Sequence, residues 1–170
     1  SESTDSESYA VMVSSGKLTA KNLKLESINT QSQPIANAVG ITVQSGASLD
    51  FDGGTITASS ANRSAYGVYA QNGAVAVSVT NTEFVLTAVP EDRYEIAIGI
   101  ETADKNNSNP FSILTKEGNT IPTEAYELYL FVPADFVGDP IALLEAAVTD
   151  GQEYLYTGAK IVKTVETATE

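Results

Sequence analysis

Two carboxylates in the segment LDFDGG, Asp50 and Asp52, are the first candidates for chemistry in this sequence. On a β-strand, residues i and i+2 share a face, so both side chains would project together while Phe51 points inward. Such a pair raises one carboxyl pKa for acid catalysis, or it binds a cation. A polar strand edge entering the Gly53-Gly54 turn explains the same residues without a site.

A second candidate is the polar segment that begins at Asp104, because Asp104, Asn106 and Ser108 place oxygen atoms with the spacing that opens a calcium loop. The loop's glycine position is Asn109 and its final acidic position is Thr115, so an Asn-rich turn before a proline is the competing interpretation. No cofactor is expected apart from Ca²⁺. The candidate metal ligands are Asp50, Asp52, Asp104, Asn106 and Ser108.

The residues that most often carry catalysis are scarce in this chain. The sequence contains no His, Cys or Trp, which excludes Ser-His-Asp sets, thiol chemistry and disulfides. Its only arginines, Arg63 and Arg93, fall in polar loops, where charges are ordinarily solvated. We therefore predict no catalytic residues and a protein that is not an enzyme.

Tyrosines are the second group of residues that could form a site. Tyr66 and Tyr69 lie three residues apart on one predicted strand, so we expect one to pack inward and the other to be exposed. Aromatic side chains on an acidic surface stack on sugars or line protein interfaces, whereas packing within a terminal cap is the alternative. The C-terminal third is enriched in tyrosine at Tyr126, Tyr129, Tyr154 and Tyr156.

The charge balance narrows the choice of partners. Nine basic residues stand against 22 acidic ones, for a net charge of -13. Such a surface repels phosphate backbones and anionic membranes, and it keeps an exposed β-protein soluble. No apolar run approaches the length of a membrane-spanning helix. We therefore expect neither nucleic-acid binding nor membrane insertion.

An internal repeat is the most informative feature of the chain. Three segments share an alternating apolar run followed by two polar residues and a glycine: YAVMVSSGKL, VGITVQSGASL and YGVYAQNGAVAV. Their glycines, Gly16, Gly46 and Gly73, are 30 and 27 residues apart. A period of this size indicates a solenoid, a propeller or an array.

Each repeat reads as three short strands joined by two turns and a longer loop. This pattern predicts a right-handed, three-sided parallel β-helix, in which each strand pairs with its equivalent one coil later. We expect 9–14, 39–44 and 66–70 to stack in register, with Val43, Leu49 and Ile56 pointing inward. A β-sandwich is the alternative, although it does not explain why three consecutive segments begin alike.

The C-terminal part breaks the repeat and is predicted to cap the coil. The repeats occupy residues 1–126, including a degraded fourth turn at EIAIGIET, and residues 127–170 hold the last turn and the capping segment, all in a single domain. A short helix is expected over 139–149, with Asp139 as N-cap and Pro140 at its first position. Two strands follow it, at EYLY and AKIVKTVE.

The runs AYGVYAQNGAVAVSVTNTEF and AVGITVQSGASLDFDGGTIT resemble the parallel β-helix repeats of bacterial surface proteins in the pectin-lyase-like superfamily, such as autotransporter passengers and adhesins. The resemblance covers about residues 9–115 and rests on small-apolar alternation, glycine turns and a Gly-Thr-Ile-Thr run. It implies the right-handed β-helix fold. It implies no single activity, because the superfamily includes lyases, hydrolases, adhesins and phage tailspikes.

These observations favour a non-enzymatic, secreted module that is extracellular or attached to the cell surface, adhesin-like or structural, with a surface glycan or a protein as partner. One alternative is a carbohydrate-active β-helix, similar to a polysaccharide lyase or hydrolase or simply glycan-binding. Another is a homo-oligomer or a subunit that forms head-to-tail filaments, because the ends of a β-helix expose unpaired backbone. The N-terminal SESTDSESYA lacks the basic and apolar regions of a signal peptide, so either a signal has been removed or the sequence is part of a longer chain.

The expected register of the strands helps to decide between the binding-module hypothesis and the enzyme hypothesis. Aligned on the glycines, the pair Asp50 and Asp52 falls beside Thr19 and Lys21 in the coil before and beside the run 77–79 in the coil after. No column of acidic side chains results, and this counts against the enzyme.

Overall fold

The computed structural model describes residues 8–30, 36–89, 93–139 and 142–143, together with the backbone of 153–157 and 161–164. The fold is all-β, a parallel β-solenoid of about four turns. A 3₁₀ turn at Pro110–Ile113 precedes β8. The strands are β1 Ser8–Val13, β2 Gly16–Asn29, β3 Ala38–Val43, β4 Ala47–Ser60, β5 Ala65–Ala70, β6 Ala76–Ala88, β7 Glu95–Glu101, β8 Leu114–Glu117, β9 Tyr126–Phe131, β10 Glu153–Thr157 and β11 Ile161–Thr164.

Two stacked sheets form the walls of the coil. Sheet A has the order β1-β3-β5-β7-β9-β10-β11, and sheet B has the order β2-β4-β6-β8. The first strands of successive repeats pair parallel and in register, with Tyr9 beside Val39 and Val39 beside Tyr66. The predicted stacking of these segments is confirmed, and the β-sandwich alternative is wrong.

The predicted second and third strands of each coil are two arms of one long, bent strand. β2, β4 and β6 each turn a corner at residues with left-handed backbone: Asn22 at φ 51°, Gly53 at 74° and Asn81 at 50°. These residues stack on one another and on Gly118 in the last coil. Asparagine and glycine are the residues that adopt this conformation at least cost, which explains the bend.

Asparagine and glycine alternate along this column for a steric reason. A Cβ atom on Gly53 would lie 2.5 Å from Oδ1 of Asn22, and one on Gly118 would lie 2.5 Å from Oδ1 of Asn81. Each asparagine side chain therefore occupies the space above the glycine of the following coil. Two neighbouring coils cannot both carry a side chain that points in this direction.

The core is a set of stacked apolar columns between the sheets. Val43, Leu49 and Ile56 are at most 1% exposed, as predicted, and so is Phe51. Inward residues alternate with outward polar ones along β4, because strand side chains have a period of two. The stacking continues through the fourth coil, where Ile98 and Ile100 of β7 are buried in the same core.

The predicted register of the third coil is wrong by one residue on sheet B. Asp50 and Asp52 do lie beside Thr19 and Lys21, but in the next coil they lie beside Ser78 and Thr80. The turn between the sheets lengthens by one residue in each coil, so the glycines in these turns do not stack. The core positions that flank the turn are Val13 and Leu18, Val43 and Leu49, and Ala70 and Val77.

The prediction that Tyr66 and Tyr69 face opposite sides is also wrong. Their rings are 5.7 Å apart on the outer face of sheet A. Between them, a Cβ on Gly67 would contact the core ring of Phe84, and Val68 is itself buried in the core. Two consecutive inward positions break the strict alternation, so residues three apart share the outer face.

The C-terminal part continues and then closes sheet A. β9 pairs parallel with β7, β10 pairs parallel with β9, and β11 pairs antiparallel with β10. The two predicted final strands are thus present. The predicted helix over 139–149 lies largely outside the described residues. At its expected start, the Asp139 carboxylate accepts a hydrogen bond from the backbone N–H of Ala142 at 3.3 Å, as an N-cap does.

Candidate functional site

The Asp50–Asp52 pair lies on the outer face of sheet B, where each carboxylate is paired with a lysine of β2. Lys17 Nζ is 2.8 Å from Asp50 Oδ2, and Lys21 Nζ is 3.1 Å from Asp52 Oδ2. Both carboxylates are about one third exposed (36%). Exposed pairs of this kind contribute little to stability, because solvent and salt screen the two charges.

Asp52 also accepts hydrogen bonds from β6. Asn81 Nδ2 donates to its Oδ1 at 2.9 Å and Thr80 Oγ1 at 3.2 Å. The Asn81 bond, followed by the contacts with Lys21 and Thr80, holds the pKa of Asp52 below its ordinary value of 3.8. A general acid needs a raised pKa, so this environment is the opposite of what acid catalysis requires.

The second candidate, the segment from Asp104, folds as a series of turns closed by its own side chains. Asp104 Oδ1 accepts a hydrogen bond from the Asn106 backbone N–H at 2.9 Å, and Asn107 Oδ1 accepts one from Asn109 N–H at 3.0 Å. These are Asx-turns, in which the side chain replaces a backbone acceptor. Ser108 instead lies at the rim of a cavity. Within the described ranges, no group of three or more acidic, His or Cys side chains is placed to hold a metal ion.

Charged residues inside the coil, Lys116 and Glu127, form a pair that the sequence analysis missed. Lys116 continues the core column of Phe51 and Val79, and Glu127 continues the column of Ala97. Lys116 Nζ is 2.9 Å from Glu127 Oε1, with the side chains only 16% and 12% exposed. Strand alternation from Leu114 could have placed Lys116 inward, whereas Glu127 precedes the inward Leu128, so alternation alone would have placed it outward.

An open cavity of about 980 Å³ lies beside this ion pair. Glu127 Oε2 is buried and has no hydrogen-bond partner among the residues that the structure describes. The cavity is bounded by the segment that precedes β8, by β8 itself and by Leu143. The described polar residues that line it are Ser108, Asn109, Ser112, Thr115 and Lys116.

A cluster of aromatic rings covers part of the outer face of sheet A. Neighbouring centroids lie 4.6–6.2 Å apart, mostly in tilted or edge-to-face geometry, as aromatic pairs prefer. We call it the aromatic strip, and it consists of Tyr66, Tyr69, Tyr94, Tyr126, Tyr129 and Phe131.

The rings of the aromatic strip pack closely over a glycine, and they differ in how far they are buried. Gly99 lies beneath it, and a Cβ there would come within 3.1 Å of the Phe131 ring and 3.3 Å of the Tyr69 ring. Tyr129 is 2% exposed, and this burial, followed by the neighbouring tyrosines, raises the pKa of its hydroxyl. Tyr66, Tyr69, Tyr94 and Tyr126 are half-buried, so part of each of these rings faces solvent.

The strip has defined polar and apolar borders. The Tyr69 hydroxyl donates to Glu101 Oε2 at 3.2 Å, and the Asn72 backbone N–H donates to the same oxygen at 3.4 Å. On the side of β3, the outward residues Val39 and Thr42 are fully buried. The accessible part of the outer face on these strands is therefore the strip on β5, β7 and β9.

No protein-family model matches the chain, and neither the search of curated proteins nor that of solved structures finds a match. Within the described part of the chain, no helix has the length and apolarity needed to cross a membrane. The geometry of the site is therefore the basis for inferring what the protein does.

Proposed function

We propose that this chain is a non-enzymatic, adhesin-like β-helix module of the pectin-lyase-like kind, which acts outside the cell or on its surface. Its proposed ligand is a neutral surface glycan, and its proposed binding surface is the aromatic strip. The single observation that carries the proposal is the set of six outward aromatic side chains, gathered from three coils onto one face.

The chemistry of the strip fits a sugar. The apolar faces of pyranose rings pack on aromatic rings, and tyrosine adds a hydroxyl that donates and accepts hydrogen bonds. The net charge of -13 favours neutral glycans over anionic ones, because a polyanion approaching an acidic surface is repelled. Holding the rings against one another before binding reduces the entropy lost on association.

The proposal of binding without turnover is supported by the state of the carboxylates. Asp50 and Asp52 are each paired with a lysine, and the pKa of Asp52 is lowered. Their separation in space from the aromatic strip also supports it, because they lie on sheet B and the strip lies on sheet A. A hydrolase or lyase would need its reactive groups beside the bound sugar.

The test is binding of the full chain to an array of neutral oligosaccharides, followed by calorimetry with the best ligand. The variant Tyr66→Ala/Tyr69→Ala should weaken binding about tenfold or more, since aromatic hot spots contribute ~2 kcal/mol. The matched control is Tyr9→Ala, which removes an outward tyrosine that is 46% exposed and lies on β1, outside the strip.

Two results would overturn the proposal. One is that no neutral glycan binds, or that both variants bind as well as the unmodified chain. The other is release of product from pectin or polygalacturonate that disappears in Asp52→Asn, which would establish the carbohydrate-active alternative. Melting temperatures of all variants must stay close to that of the parent for the comparison to hold.

A further inference from the structure

The first coil of the solenoid has an open edge. Among the described strands, β1 and β2 stand first in their sheets, so each pairs with a described strand on one side only. β2 runs for 14 residues, and no strand of the described part of the chain pairs with the backbone groups on its other side. Four large apolar side chains of this coil are exposed: Tyr9 (46%), Met12 (38%), Leu23 (46%) and Ile28 (53%).

The core is also incompletely covered at this end. Leu18 and Leu25 are only partly buried, whereas Leu49 and Ile56, which stack on them, are at most 1% exposed. A further strand would bury these side chains and satisfy the free backbone groups. An exposed edge of this length is a template for strand addition.

The bend in β2 indicates which kind of strand fits. Asn22 has the same left-handed conformation as Asn81 in β6, with φ values of 51° and 50°. In sheet B, β4 is the strand that comes before β6, and Gly53 of β4 lies beside Asn81. Because asparagine and glycine alternate along the column, the strand that fits the free side of Asn22 resembles β4 and has a glycine at its bend.

The charges on β2 favour the same strand. Lys17, Lys21 and Lys24, three of the nine basic residues of the chain, all lie outward on this edge strand. Lys17 and Lys21 are 57% and 71% exposed although they contact Asp50 and Asp52. An acidic strand added on the other side would place a second row of carboxylates beside them.

A second copy of the chain fits this edge less well. Two copies that meet through this edge of β2, with both outer faces on the same side, pair antiparallel about a two-fold axis, and the three lysines of each strand then gather on one surface. Like charges directly opposite each other on neighbouring strands are destabilising. The lysines thus select against self-pairing and for an acidic partner.

We propose that the edge of β2 is a docking site for an acidic, extended segment of a partner protein, which adds to sheet B as a parallel strand of the β4 type. Backbone hydrogen bonds supply affinity, and the glycine at the bend and the carboxylates facing Lys17 and Lys21 supply specificity. This interaction is independent of the aromatic strip and goes beyond glycan binding.

The test uses a fluorescent peptide with the β4 sequence ASLDFDGGTITASS, titrated into the full chain and followed by anisotropy. The peptide should bind, and its Asp50→Lys/Asp52→Lys version should bind about tenfold more weakly, the equivalent of ~1.4 kcal/mol. The protein variant Lys17→Glu/Lys21→Glu should reverse this preference. Amide exchange should slow in β2 while β4 stays protected, which shows addition rather than exchange of strands.

A second protein variant tests the proposal even if the Lys17→Glu/Lys21→Glu variant does not fold. Lys24 forms no ion pair within the described residues, so Lys24→Glu leaves the internal Lys–Asp contacts intact. A Thr55→Asp peptide should bind the parent chain more tightly than the β4 peptide and the Lys24→Glu variant more weakly. Lys105→Glu, which alters a lysine paired with Asp135 away from this edge, is the control and should change neither affinity.

Three outcomes overturn the proposal. They are no binding up to about millimolar peptide, binding that is insensitive to all the charge variants, and protection at β8 rather than at β2. If the chain instead self-associates through the same edge as its concentration rises, and so excludes the peptide, then the partner at this edge is a second copy of the chain.

Discussion

Asp52 looks like a catalytic carboxylate in the sequence, but the residues that surround it in the fold give it a structural role. Its partners come from β2 and β6, one coil before and one coil after. Hydrogen bonds from Asn81 and Thr80 and the contact with Lys21 all favour the ionised form, so the residue links three coils through its charge.

The lowered pKa of Asp52 predicts a pH-dependent contribution to stability. A group whose pKa is lower in the folded than in the unfolded state stabilises the fold above the unfolded value and loses this effect as pH falls through the folded value. Asp52→Asn should therefore reduce the melting temperature at pH 7, and the difference from the parent chain should shrink below pH 3.8. Ser48→Asn, on the same strand, is the control, and its effect should not change with pH. A constant Asp52→Asn effect down to pH 2 would contradict the prediction.

A second residue prediction concerns the core. Ile56 is fully buried, so Ile56→Asp places a carboxylate where it finds no partner. The cost is several kcal/mol, against a total stability of about 5–15 kcal/mol for a domain, and the variant should unfold or melt far below the parent. Ser59→Asp, which lies on the outward face of the same strand, should melt within a few degrees of the parent. Circular dichroism during heating measures both, and equal melting temperatures would exclude the inward placement of Ile56.

At the scale of elements, the bent strands explain which features the sequence could predict. Stacking of the first strands follows from their shared apolar alternation, because inward positions must be apolar in every coil. The register of β6 does not follow from the glycines, since the turn before it grows by one residue per coil. The position of Tyr69 does not follow either, because the two consecutive inward residues, Gly67 and Val68, break the alternation.

The candidate site was less predictable than the fold. The aromatic strip joins Tyr66 to Phe131, which are far apart in sequence and come together only when three coils stack. The pair of Lys116 and Glu127 was missed because core positions were assumed to be apolar. Sequence spacing shows which residues share a strand, but contacts between coils depend on turn lengths and bends.

The bend itself gives a prediction at this scale. Gly53→Ala should destabilise the chain by about 1–3 kcal/mol, because alanine is strained at φ 74° and its Cβ meets Asn22 Oδ1. In the double variant Asn22→Gly/Gly53→Ala the collision is gone and only the backbone strain remains. Urea unfolding of the two single variants and the double variant measures the coupling. Strictly additive losses would show that the asparagine side chain does not occupy the space above the glycine.

At the scale of the molecule, the two ends of the solenoid differ. At the N-terminal end, no described strand covers the edges of β1 and β2, and β2 carries three outward lysines. On sheet A, the C-terminal end is closed by β10 and β11, which cover the edge of β9 and turn the parallel stack into an antiparallel hairpin. On sheet A, the parallel stack of strands can therefore be extended only at the N-terminal end of the described strands, because β11 is antiparallel to β10.

This asymmetry predicts the effect of shortening the chain. Deleting residues 139–170 removes β10 and β11 and uncovers β9, whose Leu128 and Leu130 are fully buried in the intact protein. The free backbone and apolar side chains of β9 should then promote self-association and lower the melting temperature by about 5–10 °C, the equivalent of ~2–3 kcal/mol. Light scattering after size-exclusion chromatography measures association, and calorimetry measures melting. A shorter deletion, of residues 161–170, removes β11 but leaves β10 on the edge of β9, so it should associate less. If the longer deletion stays monomeric and melts with the full chain, β10 and β11 do not protect this end, and another part of the molecule must prevent its association.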